Sequence, residues 1–176
     1  MKKRLYADRI LSGIAVLFWM VLIFGFSAQT GESSENMSGS VIKSVVVVLN
    51  PEFDTLTETQ QSEIISSWQT VVRKTAHFSE YALLAILTAN AIRTYKIKRP
   101  FKWIIPPAVC LIYAVSDELH QYFVGGRACR LFDVGVDTAG GIFGTAVFML
   151  FMWLFARHRA KKKKEIYHDT QNPTAG

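Results

Sequence analysis

Four long blocks of apolar residues, at 10–28, 71–92, 101–123 and 134–155, dominate this sequence of 176 residues. Each is close to the ~20 residues that cross a ~30 Å hydrocarbon core at a rise of 1.5 Å per residue. The residues come as continuous blocks rather than as the periodic stripes of water-soluble amphipathic helices, and half of the chain is hydrophobic. The expected fold is therefore an all-α membrane protein, a bundle of four transmembrane helices. The first block is longer than a signal-peptide core and lacks a convincing small-residue cleavage site, Ser27-Ala28-Gln29 being the nearest match. It is expected to stay as an anchor.

Basic residues fix the expected orientation, because Lys and Arg collect on the cytoplasmic side. Of the 20, four precede the first block, five lie between the second and third (Arg93, Lys96, Lys98, Arg99, Lys102), and six follow the fourth, including Lys161 to Lys164. The other side holds Lys43, Arg73, Lys74, Arg127 and Arg130. Both termini and the middle loop are thus expected in the cytoplasm of a plasma-membrane protein. The net charge of +6 is then a topology signal and not a nucleic-acid footprint. Residues 1–160 are expected to form one membrane domain, with a basic, disordered tail at 161–176. Two cysteines, Cys110 within a span and Cys129 in an outer loop, indicate no disulfide framework.

Between the first two spans lies an outer segment, 29–70. Residues 30–40, rich in Ser, Gly and Asn, read as a loop, and 41–49 are apolar but too short to span. The spacing Thr55-Leu56-Thr57-Glu58 reads as a capping box. The helix it starts is expected to run along the interface before turning into the second span. Pro106-Pro107 should kink the third span, and Gly140, Gly141 and Gly144 should permit close helix contact in the fourth.

Ionisable residues inside spans are rare because each costs roughly 2.5 to 3.5 kcal/mol at a helix centre. Here they recur at matching depths. At ~1.5 Å per residue, Glu80 and His77 lie roughly 20 and 24 Å from the cytoplasmic end of their span. Asp117 and Gln121 lie roughly 22 and 28 Å along theirs, and Asp137 and Asp133 roughly 30 and 36 Å along the last. Arg73, His77 and Glu80 share a helix face, as do Asp117 with Gln121 and Asp133 with Asp137. Arg127, in the Gly125-Gly126-Arg127 turn, is placed to pair with these carboxylates.

The stretches Arg73-Lys74-Thr75-Ala76-His77-Phe78-Ser79-Glu80-Tyr81, Ser116-Asp117-Glu118-Leu119-His120-Gln121, Gly126-Arg127 and Asp133-Val134-Gly135-Val136-Asp137-Thr138-Ala139-Gly140 resemble the VanZ-like family. The likeness takes in nearly the whole chain, including the Phe26-Ser27-Ala28-Gln29 exit from the first span. One position departs: Asp137 stands where that pattern commonly has Asn. The resemblance implies a bacterial envelope protein associated with low-level resistance to teicoplanin and related lipoglycopeptides, without naming a chemistry.

Several readings of the polar set stay open. His77 and Glu80 read first as a hydrogen-bonded link between helices, with a base and its partner, or metal ligands, as the alternatives. A metal would have His77 with Glu80, Asp117 and Glu118, but no Cys cluster or paired His supports it, so no metal and no cofactor is assigned. Catalysis by His77, Glu80 and Asp117 on a lipid-linked envelope precursor lacks an activated Ser or Cys nucleophile. Glu118 and His120 fall on other faces and point to headgroups or a partner helix. The expected function is an outward-facing pocket of Arg73, Lys74, His77, Glu80, Asp117, Glu118, Gln121, Arg127, Asp133 and Asp137. It would bind an anionic, lipid-linked or peptidoglycan-related ligand, with membrane lipids as the other partners. The alternatives are an intramembrane acid–base enzyme and a non-catalytic adaptor for a cell-wall enzyme.

Overall fold

A helix satisfies its backbone groups internally, which is what an apolar segment removed from water requires. The computed structural model describes residues 2–29, 31–50, 52–123 and 130–171. Its helices are α1 (Lys2–Ser27), α2 (Gly31–Leu49), α3 (Glu58–Arg93), α4 (Arg99–Tyr122) and α5 (Leu131–Gln171), with a single 3-10 turn at Phe53–Thr55. The described residues contain no strand, so the expected all-α architecture is what forms. Two helices, over Lys3–Ser27 and Leu131–Lys163, are long and apolar enough to cross a membrane by length and composition. Polar residues interrupt the apolar runs of α3 and α4, so two of the four expected spans are long and apolar enough in this sense.

Large apolar residues face outward as well as filling a core of Ile23, Tyr81, Leu84, Ala85, Cys110 and Ala114. Leu11 is 71% exposed and Phe18 62% on α1, and Ile112, Leu119, Ile142 and Phe151 also face outward. Ser27, Thr88, Asp117, Glu118, Gln121, Asp137 and Thr145 are buried instead. Such an outer surface suits lipid, whereas of the polar groups inside Ser27, Asp117 and Gln121 bond one another and Thr88 and Thr145 bond backbone carbonyls one turn back.

At the centre is α3, packed against α1, α2, α4 and α5. Its contact with α5 is set by glycine. A Cβ on Gly140 would lie 2.2 Å from the Phe78 carbonyl oxygen, and one on Gly144 would lie 2.1 Å from that of Ala82. On another face of α5, a Cβ on Gly141 would lie 2.7 Å from Cys110 Cβ of α4. The expectation that these glycines allow close contact holds at all three. Pro106 and Pro107 lie within α4, which runs unbroken through both.

Hydrogen bonds fix the relative direction of α1 and α3. Arg9 donates to the Thr94 carbonyl at 3.0 Å and its guanidinium lies over the Tyr95 ring, while Trp19 Nε1 donates to the Glu80 carbonyl at 2.9 Å. The helices are therefore antiparallel, with Arg9 at the end where α3 gives way to α4. At the other end Ser27 meets Asp117 of α4.

Three local expectations are corrected. Residues 31–40 are helical, part of α2, and not a loop. The hydroxyls that suggested a loop fold back within the helix, Ser38 onto the Ser34 carbonyl and Ser40 onto that of Asn36. The α3 cap is Thr57 with Gln60, two residues later than the spacing Thr55 to Glu58 suggested. Thr55 is taken by the 3-10 turn, where its hydroxyl donates to the Glu52 carbonyl. Finally, the expected interfacial part and span are not separate elements: α3 is one helix of 36 residues, and α2 packs along it, Ile65 meeting Gly39.

Candidate functional site

The site lies at the end of the bundle opposite Arg9 and Thr94. From α3 come Arg73, Lys74, His77, Glu80 and Tyr81; from α4 Asp117, Glu118 and Gln121; from α5 Asp133 and Asp137; from α1 Ser27. The i, i+4 spacing of Asp133 and Asp137 aims both at α3. Asp133 pairs with Lys74, whose ammonium also lies over the Phe132 ring. Asp137 Oδ1 faces His77 Nδ1 at 3.8 Å, beyond hydrogen-bond length.

Asp117 closes the group from α4. Its Oδ2 accepts from Ser27 Oγ at 2.8 Å and from Gln121 Nε2 at 3.2 Å, and Gln121 also donates to Ser27 Oγ at 3.3 Å. The ligand-capable atoms of His77, Asp117 and Asp137 all lie within 4.8 Å of one another. Asp117 and Asp137 are each 3% exposed, whereas His77 is part-exposed. Tyr81 is fully buried beside them, within electrostatic range of both carboxylates, and its hydroxyl has no hydrogen-bond partner.

On the other side of His77 is a cavity of about 290 Å³ between α3, α2 and the end of α1. Arg73, His77 and Glu80 line it from α3, Ser34 and Ser38 from α2, and Phe26 from α1. The expected shared face of Arg73, His77 and Glu80 thus becomes one wall. His77 stands between this cavity and the buried carboxylates.

Chemically, the arrangement offers a basic group at the cavity, an imidazole in the wall, and carboxylates behind it. It is suited to hold an anion at Arg73, to orient His77 through Asp137 for proton transfer, or to take a cation among His77, Asp117 and Asp137.

Two residues were expected to face headgroups or a partner helix. Glu118 does not point to headgroups; it is buried, and Oε1 accepts from the Arg130 backbone N–H, tying α4 to the start of α5. His120 meets a neighbouring helix, one of its two expected settings, its ring lying at a tilt on Phe24 of α1 with centroids 4.4 Å apart. Arg127, expected to pair with the carboxylates, lies outside the described residues, as does Cys129.

Sequence reasoning missed Ser27 and Tyr81. Ser27 was legible by depth, since 17 residues from Ile10 at ~1.5 Å each bring it roughly 26 Å along its span, level with Gln121. Tyr81 carries no depth signal beyond its place after Glu80, because an aromatic in a span is ordinarily packing.

Comparison with known proteins gives one finding. Residues 13–153 match the family model described as VanZ/LLP1, which takes in every helix of the site. Searches of curated proteins and of solved structures return no match.

Proposed function

The chain belongs to the VanZ/LLP1 family, and from that membership we propose a four-span protein of the bacterial plasma membrane with both termini in the cytoplasm. It binds an anionic cell-envelope molecule in an outward-facing pocket and thereby lowers sensitivity to teicoplanin and related lipoglycopeptides. The observation that carries the reading is the cavity whose wall holds Arg73, His77 and Glu80, backed by buried polar groups from three further helices. A volume of about 290 Å³ sits at the lower end of ligand pockets and suits a headgroup or a carboxylate-bearing peptide end. Lys74 is occupied by Asp133, so Arg73 is the basic residue of the cavity wall that engages the anion.

The test is resistance, measured together with protein level, in a susceptible host expressing Arg73→Gln, Glu80→Gln, Asp117→Asn or Arg127→Gln. Loss of resistance at wild-type abundance is expected; resistance unchanged at wild-type abundance would sink the pocket. Lipid extracted from the purified protein and weighed by mass spectrometry identifies the ligand. Binding of a protein partner through segment 29–70, captured by cross-linking with no co-purifying lipid, would favour the adaptor reading instead.

A second reading has one observation in its favour, the His77 imidazole set against Asp137. Closing that 3.8 Å approach to a hydrogen bond on substrate binding would orient a general base. An intramembrane acid–base enzyme predicts turnover of a lipid-linked precursor by purified protein, lost in His77→Ala while binding persists.

A further inference from the structure

Among the described residues, the buried centre behind His77 is rich in carboxylates. Asp117 and Asp137 are each 3% exposed, and Oδ1 of each lacks a hydrogen-bond partner. Glu80, Glu118 and Asp133 lie within electrostatic range of Asp137 as well. The described lysine of this region, Lys74, is committed to Asp133. Carboxylates gathered away from water either take up protons or are met by a counter-charge at close range.

These carboxylates are not scattered. One oxygen each of Asp117 and Asp137 and one nitrogen of His77 lie within 4.8 Å of one another. Neighbouring ligands on one tetrahedral ion sit ~3.4 Å apart at a metal–ligand distance of ~2.1 Å. Side-chain rotations that draw these atoms in by about 1 to 1.5 Å therefore bring all three into one coordination sphere. The residues also come from three helices, α3, α4 and α5, so an ion there would lock the bundle at this end.

We propose that His77, Asp117 and Asp137 bind a divalent transition-metal ion, zinc or manganese. One imidazole with two carboxylates suits these ions better than magnesium or calcium, which prefer oxygen alone. Second-sphere support is in place: Ser27 and Gln121 fix the far oxygen of Asp117, and the buried Tyr81 hydroxyl is available to a ligand-bound water. The proposal revises the expectation of no metal. It goes beyond the anionic-ligand reading and does not depend on it.

The experiment uses the full chain, purified in detergent on a non-histidine tag, in a His158→Gln/His168→Gln background that removes the tail histidines. After chelator treatment and dialysis, zinc and manganese are titrated by calorimetry and bound metal is counted by mass spectrometry. About one equivalent is expected, with affinity lowered about tenfold or more in Asp137→Asn and unchanged in Glu63→Gln. Pulsed EPR of bound manganese needs no site variant to fold: nitrogen coupling from one imidazole is expected, and it should persist in His120→Gln. Well under one equivalent in the wild type, equal affinity in Asp137→Asn, or manganese without imidazole coupling would each overturn the site. Lipid found by extraction in a metal-free protein would leave the anionic-ligand reading standing while this one fell.

Discussion

At the residue scale the centre is organised by which oxygen of Asp117 is satisfied. Oδ2 receives both Ser27 and Gln121, and those donors also bond to each other, so three side chains from two helices form one closed network. Such networks are worth more together than pair by pair. Interhelical hydrogen bonds within membranes average ~0.6 kcal/mol and reach ~1.7. Ser27→Ala should therefore destabilise the protein by about 1 kcal/mol in unfolding from mixed micelles. In an Asp117→Asn background the same change should cost less, because the acceptor it serves has changed. An equal cost in both backgrounds would mean that Ser27 acts only by packing. The depth of Asp117 was legible in sequence because helical rise is regular. Its partners were not, since rise along a helix says nothing about rotation around it.

At the element scale, α3 and α5 meet backbone to backbone. The Gly140 and Gly144 positions leave no room for even one methyl group, at 2.2 and 2.1 Å from the carbonyl oxygens of Phe78 and Ala82. This close approach is what brings Asp133 to Lys74 and Asp137 to His77, since all four lie on the same two helices. Gly144→Ala should force the helices apart and cost ~1 to 3 kcal/mol, the ordinary range for overpacking. Gly135→Ala, with open space around it, should cost nothing by the same assay. A Gly144→Ala protein as stable as the wild type would show that α5 is not seated on α3 in this way. The spacing of small residues made that contact legible. The α2 helix was not, because its serines favour loops locally and become helical by bonding their own turn and by packing on α3. The cap moved for a related reason: Thr55 and Thr57 both offer cap spacings, and a short turn claims the first.

At the scale of the whole molecule, the bundle has chemically different ends. Arg9 and Tyr95 mark one, joined there by the Trp153–Arg157 and Phe155–Arg159 cation–π pairs of α5, the aromatic-and-basic composition of a membrane interface. The buried carboxylates occupy the other. Because α1 and α3 are antiparallel, one orientation of α1 fixes the side reached by the loop after α3 and by segment 29–70. Basic residues should keep the Arg9 end inside, since translocating them is unfavourable. The corresponding test replaces Cys110 and Cys129 by Ala and introduces one cysteine at a time into intact cells. Glu35→Cys, on exposed α2, should react with a membrane-impermeant maleimide added outside; Lys96→Cys, between α3 and α4, should react only after the membrane is opened. Equal outside labelling at both positions would mean that α3 does not cross. Reversed labelling would turn the cavity toward the cytoplasm, and an envelope ligand on the outer face could not then reach Arg73.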